Sequence, residues 1–213
     1  MQTKNKIAVI GGAGKSGQFL TCELLKQNFP IRMLLRFPEK LKIENTFIEM
    51  VTGDARNPMD VLELIKGCHA VISVLGQPKG ELSIFSAATK NILYAMDFHH
   101  IKRYVSITGL SVDSPTDHKG AYAAGGTAWM KKHYPETTAD KQVEWEILNA
   151  SGLDWTLVRL PLIDLTETKS ATRISIADCP GEKISAASLA VFLVDQLEDK
   201  TFIRQSPFIA NSD

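Results

Sequence analysis

Four glycines fall within seven residues near the start of the chain, in the run Gly11, Gly12, Ala13, Gly14, Lys15, Ser16, Gly17. The spacing satisfies G-x-x-G-x-x-G from Gly11 and G-x-G-x-x-G from Gly12. An apolar, β-type run ends immediately before it and an amphipathic segment begins within it. In that setting the early glycines permit a tight turn, Gly14 lets a phosphate group approach the backbone, and Gly17 lets the helix lie close to the strand. The helix N-terminus then presents N–H groups to an anion. A glycine turn that binds nothing is the competing reading, and the strand before and helix after weigh against it. The Gly-Lys-Ser step resembles a Walker loop, but that loop needs its first glycine five positions before Gly14, where Val9 stands inside the strand. The spacing therefore points to the pyrophosphate of a dinucleotide.

About 20 residues beyond such a loop, an NAD-specific site carries an acidic residue for the ribose 2′-hydroxyl. Here Arg36 ends the second apolar run. A guanidinium pairs with a 2′-phosphate where a carboxylate would repel it, so NADP(H) is expected in preference to NAD(H). Arg32 is expected to be a solvated surface residue. After the third run, Gly53 and Asp54 offer a carboxylate to an adenine amino group. After the fourth, Leu75 and Gly76 offer bare backbone.

These positions acquire meaning only through the elements that hold them. Strands are predicted over 6–10, 31–35, 47–52, 70–74, 103–107 and 155–159, and helices over 16–27, 58–65, 83–98, 138–150 and 186–197. Residues 109–135 scatter Gly, Ser, Asp and Pro without a sustained period and read as a long irregular excursion on the ligand side. Strands alternating with helices require a mostly parallel sheet with helices on both faces. The expected architecture is a doubly wound α/β Rossmann-type fold, with residues 1–213 forming one domain. Ligands in such sheets bind beyond the carboxyl ends of the strands, where strand order reverses.

The 213 residues carry 24 Lys and Arg against 24 Asp and Glu, a formal net charge of zero, which argues against nucleic acid as a partner. No run of about 18 apolar residues offers a membrane span. The apolar stretch Ile7 to Ile10 is shorter than the ~7–15 residues of a secretory signal, so a cytoplasmic location is expected. Cys22, Cys68 and Cys179 form no C-x-x-C pair and read as buried thiols, and no metal site is expected. His99 and His100 close a helix, where the helix dipole favours them.

The strings AVIGGAGKSG, MLLR, VTGDA, AVISVLG, KRYVSITG and SGLDWTLVRLP together resemble the atypical short-chain dehydrogenase/reductases. The resemblance is to the NAD(P)H-binding group that includes biliverdin-IXβ (flavin) reductases and nitrogen-repressor-like sensors, and it covers nearly the whole chain. It implies that Gly11 to Gly17 hold the pyrophosphate, with contacts from Ala13, Lys15 and Ser16. It also implies that Arg36 takes the 2′-phosphate, that Asp54 and Ala55 flank adenine, and that Leu75, Gly76 and Gln77 pass under the adenosine. Ser106, Ile107 and Thr108 would lie near the nicotinamide ribose, and Leu160, Pro161, Leu162 and Ile163 would border the nicotinamide.

The same resemblance exposes departures. Relatives with a Tyr-x-x-x-Lys helix use the lysine to lower the tyrosine pKa. Lys141 occupies the lysine position, but Thr137 stands where the tyrosine would be. Lys141, Thr108 and Ser106 are thus the catalytic candidates. Lys141 is expected to orient the cofactor ribose, outside any proton relay. Two readings follow. One is an NADPH-dependent reductase passing hydride to a small planar acceptor such as a flavin or quinone, on which Tyr122, Trp129 and Tyr134 could stack. The other is a non-catalytic redox sensor that acts through a protein partner.

Overall fold

Runs of branched apolar residues form the centre of the molecule. In the computed structural model, which describes residues 4–41 and 43–212, the strands β1 (Ile7–Ile10), β2 (Ile31–Leu35), β3 (Ile48–Thr52), β4 (Ala70–Ser73), β5 (Arg103–Gly109) and β6 (Asp154–Leu160) pair in parallel. The helices are α1 (Gly17–Lys26), α2 (Pro58–Ile65), α3 (Phe85–Phe98), α4 (Ala121–His133), α5 (Pro135–Ala150) and α6 (Ala186–Asp195). Short strands β7 (Leu162–Asp164), β8 (Thr172–Ser175), β9 (Lys183–Ser185) and β10 (Phe208–Asn211) complete the chain. The eight-stranded sheet runs β3-β2-β1-β4-β5-β6-β10-β8, antiparallel only between β10 and β8, while β7 and β9 form a separate parallel pair. This is the expected doubly wound Rossmann arrangement. Strand order reverses at β1, which opens a crevice beyond the carboxyl ends of β1 and β4.

Each face of the sheet has its own core. Leu20 and Leu24 of α1 and Leu189 and Leu193 of α6 pack on Val9, Met33 and Ile72. On the other face Leu64, Ile92, Met96 and Leu148 of α2, α3 and α5 cover Ala8, Val71, Tyr104 and Leu157. Burial of these side chains is the main force holding the two helix layers on the sheet.

Three expectations are corrected. Residues 109–135 are largely helical, because α4 runs from Ala121 to His133. Its Gly125 and Gly126 are tolerated because a tertiary contact settles the matter: Gly126 lies against Leu110, and Thr127 Oγ1 donates to the Leu110 carbonyl at 2.9 Å. Residues 110–120 form no regular element, and hydrogen bonds and an ion pair pin them. Lys119 Nζ donates to the Leu110 and Val112 carbonyls, and the fully buried Arg159 meets Asp117 Oδ1 at 2.6 Å. Second, Arg32 is buried: it donates to the Glu63 and Lys66 carbonyls and pairs with Glu49 and Glu63. Third, Cys22 is exposed and Cys68 and Cys179 are partly so. Among the described residues, no helix is long and apolar enough to cross a membrane.

Candidate functional site

The crevice at the reversal point is a cleft of about 530 Å³ lined by Gly11, Ala13, Gly14, Lys15, Ser16, Arg36, Asp54, Ala55, Leu75, Gly76 and Gln77, with Ile84 at its margin. The backbone explains its floor. Gly11 has φ +82°, and a side chain there would strike the Val74 carbonyl. A Cβ on Gly17 would lie 2.1 Å from the Gly11 oxygen, so only glycine lets α1 come this close to β1. Gly14 N–H donates to the Gly11 carbonyl at 3.0 Å, and Thr21 Oγ1 donates to the Gly12 carbonyl, fixing the loop to the helix. Ser16, the α1 N-cap, makes no side-chain capping bond, which leaves the helix end to an anion. The loop is therefore a cradle that a Cβ would fill, and it fits a pyrophosphate.

Beside the cleft, past the carboxyl ends of β2 and β3, four charged side chains interlock. Arg36 Nη1 donates to Glu81 Oε1 at 3.0 Å, and Arg56 Nη1 donates to Glu81 Oε2 at 2.6 Å. Arg56 also holds both oxygens of Asp54, through Nε at 3.0 Å and Nη2 at 2.5 Å. Arg36 and Arg56 beside Glu81 keep its carboxyl below the usual range, and Arg56 does the same for Asp54. The Gln77 amide is turned onto its own loop, donating to the Glu81 and Leu82 carbonyls.

The other predicted residues do not line this cleft. Ser106, Ile107 and Thr108 on β5, and Leu160 to Ile163 at the end of β6, lie further along the carboxyl edge of the sheet. Ser106 and Thr108 are buried and face the α3 and α5 layer with Tyr104. Thr137 and Lys141 stand one turn apart on α5, because the helix starts at Pro135. Lys141 Nζ sits 4.5 Å from the ring centroid of Phe85, the next residue after cleft-lining Ile84. Tyr122, Trp129 and Tyr134 lie outside the cleft wall. Tyr122 donates to the Glu182 carbonyl, and the Trp129 ring stacks on His133 at 4.6 Å.

Three residues that sequence reasoning missed shape this region. Asp140 caps α3 from the neighbouring helix, accepting from Ser83 Oγ at 2.6 Å and from Phe85 N–H at 2.8 Å. Glu144, buried beside Lys141, accepts from Thr89 Oγ1 at 3.2 Å, and burial raises its pKa to about 7. Tyr104 is fully buried near Glu144, and desolvation pushes its pKa up. The one available signal was the Lys141, Glu144 spacing, which places both on one helix face.

Comparison with known proteins agrees with this geometry. A family model described as NAD(P)H-binding matches residues 11–200. An isoflavone reductase homolog from Nicotiana tabacum is 33% identical over 121 residues, covering 52% of this chain and 37% of the relative, so the match spans little more than a third of that protein. A short-chain dehydrogenase/reductase of Veillonella parvula, solved in complex with NADP, superposes with TM-score 0.78 at 18% identity over 97% of this chain and 94% of its own. A candidate NADH-flavin reductase from Streptococcus pneumoniae superposes with TM-score 0.77 at 18% identity over 98% of this chain and all of its own.

Proposed function

The chain belongs to the NAD(P)H-binding family, and from that membership we propose that it is an NADPH-dependent reductase of a small planar acceptor such as a flavin or quinone. The observation that carries the reading is the convergence of the glycine loop and Arg36 on one cleft beyond the ends of β1 and β2. The solved structure bound to NADP supports the choice of dinucleotide, and the one described as a candidate NADH-flavin reductase supports the choice of acceptor. When bound, the dinucleotide supplies the hydride.

The chain's own residues hold and orient. Gly11 to Gly17 and the α1 N-terminus receive the pyrophosphate. Arg36 pairs with the 2′-phosphate. Asp54, Ala55, Leu75, Gly76 and Gln77 border the adenosine. Lys141 donates to the nicotinamide ribose hydroxyls, with Ser106, Ile107 and Thr108 close to that ribose and residues 160–163 flanking the nicotinamide. Thr137 cannot serve as the phenolic acid of a Tyr-x-x-x-Lys pair, so the acceptor takes its proton from water. The location that fits this chemistry is the cytoplasm, where NADPH is maintained.

NADPH oxidation followed by absorbance, with flavin and quinone acceptors, tests the reading. Turnover well above the uncatalysed rate is expected, with NADPH binding more tightly than NADH. Arg36→Ala is expected to remove most of that preference, a change of about 1.5 kcal/mol for a charge-assisted contact at a half-exposed site. Tight binding without turnover would assign the chain to redox sensing through a protein partner. Equal affinity for the two dinucleotides would remove the 2′-phosphate role of Arg36.

A further inference from the structure

On the reading of the cleft as an NADPH site, we propose that Arg56 is the second arm of a two-arginine clamp for the ribose 2′-phosphate. In this clamp the Glu81 carboxylate holds the phosphate's place until the dinucleotide displaces it.

The two guanidiniums come from the ends of neighbouring strands. Arg36 follows β2 directly, and Arg56 lies in the turn between β3 and α2. Two like charges brought together this way repel unless an anion lies between them. One does: Glu81 gives one oxygen to each, at 3.0 Å to Arg36 and 2.6 Å to Arg56. The arrangement is a bridge across two cations, and its anion is supplied by the 74–84 segment that joins β4 to α3.

Asp54 explains why Arg56 is ready for this task. Its two oxygens take Nε and Nη2 of Arg56, and Oδ1 also accepts the Arg56 backbone N–H at 2.9 Å. This fixes the plane of the guanidinium and leaves Nη1 directed at the bridging position. The four side chains carry two positive and two negative charges. Removing Glu81 from the bridge leaves a net positive charge on the cluster, whose Arg36 and Asp54 line the cleft with Arg56 directly behind them.

A phosphate monoester suits that vacancy better than a carboxylate does. It carries roughly 1.5 to 2 negative charges at neutral pH and three acceptor oxygens, against the single charge of Glu81. A ribose 2′-hydroxyl carries no charge and cannot compete. Arg56 therefore discriminates between the two dinucleotides, and Glu81 opposes only the one with the extra phosphate. Neither residue is needed to receive the pyrophosphate or the nicotinamide half.

Calorimetric titration of the wild-type chain, Arg56→Ala and Glu81→Gln with NADPH, NADH and adenosine 2′,5′-bisphosphate tests the clamp. Arg56→Ala is expected to weaken NADPH and the bisphosphate about tenfold, the effect of one charge-assisted contact, and to leave NADH nearly unchanged. Glu81→Gln is expected to strengthen NADPH and the bisphosphate several-fold without affecting NADH. Equal losses for NADPH and NADH in Arg56→Ala would show that the residue merely supports the turn. Unchanged NADPH affinity in both variants would also overturn the clamp while leaving the cleft assignment intact. A wild-type chain that binds neither dinucleotide would instead remove the cleft reading itself, and the clamp with it.

Discussion

Lys141 and Glu144 lie a turn apart on α5, and their burial shifts them in opposite directions. Desolvation lowers the lysine pKa, with Glu144 working against the shift. It raises the Glu144 pKa to about 7, although Lys141 and the hydrogen bond from Thr89 pull the other way and Asp140 adds to the rise. The folded chain thus keeps the Glu144 proton up to about pH 7, whereas an ordinary carboxyl releases it near 4.5. Folding takes up a proton in that window, so this residue's contribution to stability is fully present below pH 4.5 and is lost as pH rises towards 7. Glu144→Gln, which cannot ionise, is expected to abolish that loss. The stability of the variant relative to wild type should increase by on the order of 3 kcal/mol between about pH 4 and pH 8, as measured by urea unfolding at each pH. A constant difference across the range would mean that Glu144 titrates as an ordinary surface carboxyl.

At the level of elements, the strands β1 to β6 and the helices α1 to α3 were legible because buried parallel strands are written as continuous branched runs and their helices as amphipathic ones. Helix α2 matches its expected limits, Pro58 to Ile65, because Asn57 caps it and Pro58 suits its first turn. Helix α4 was hidden by Gly125 and Gly126, whose helical cost is outweighed by packing on Leu110. Strands β7 to β10 are three or four residues long and owe their existence to partners far away in sequence, as in Ile209 opposite Ile174. The site divides in the same way. The glycine loop and Arg36 are local features that follow directly from a strand and a spacing. Glu81 meets Arg36 across 45 residues and Asp140 meets Phe85 across 55, and no local pattern encodes either contact. The Asp140 contact is a helix cap delivered from a second helix, so it fastens α5 to α3 as well as satisfying the first N–H groups of α3. Asp140→Ala is expected to destabilise the fold by about 1–2 kcal/mol, the usual cost of losing a cap. Hydrogen exchange should then rise first in the opening turn of α3, with the first strands still protected. Uniform loss of protection would instead mean that the cap is part of the global core.

Across the whole molecule, one sheet carries both cores, so the helix layers on its two faces are expected to unfold together and a ligand at the sheet's edge stabilises all of it. Binding to the folded chain alone adds about 2.7 kcal/mol at a hundredfold excess over Kd, which in a chain of 213 residues raises the Tm by about 5–10 °C. The glycine loop lets the cost to the fold be separated from the loss of the ligand. A Cβ on Gly17 would lie 2.1 Å from the Gly11 oxygen, so Gly17→Ala must push α1 away from β1, and its Tm without ligand should fall. A Cβ on Gly14 would lie 3.1 Å from the same oxygen, a contact that a small backbone adjustment relieves, while the rest of a valine side chain would fill the space that the proposed function gives to the pyrophosphate. Gly14→Val should therefore melt within a few degrees of wild type, as about 1 kcal/mol of strain would dictate, and show no shift with NADPH. Thermal scans of the three proteins with and without NADPH give the comparison. A normal NADPH shift in Gly14→Val would place the dinucleotide somewhere other than over this loop. A wild-type Tm for Gly17→Ala would mean that α1 does not need to lie against the turn for the sheet to hold its helices.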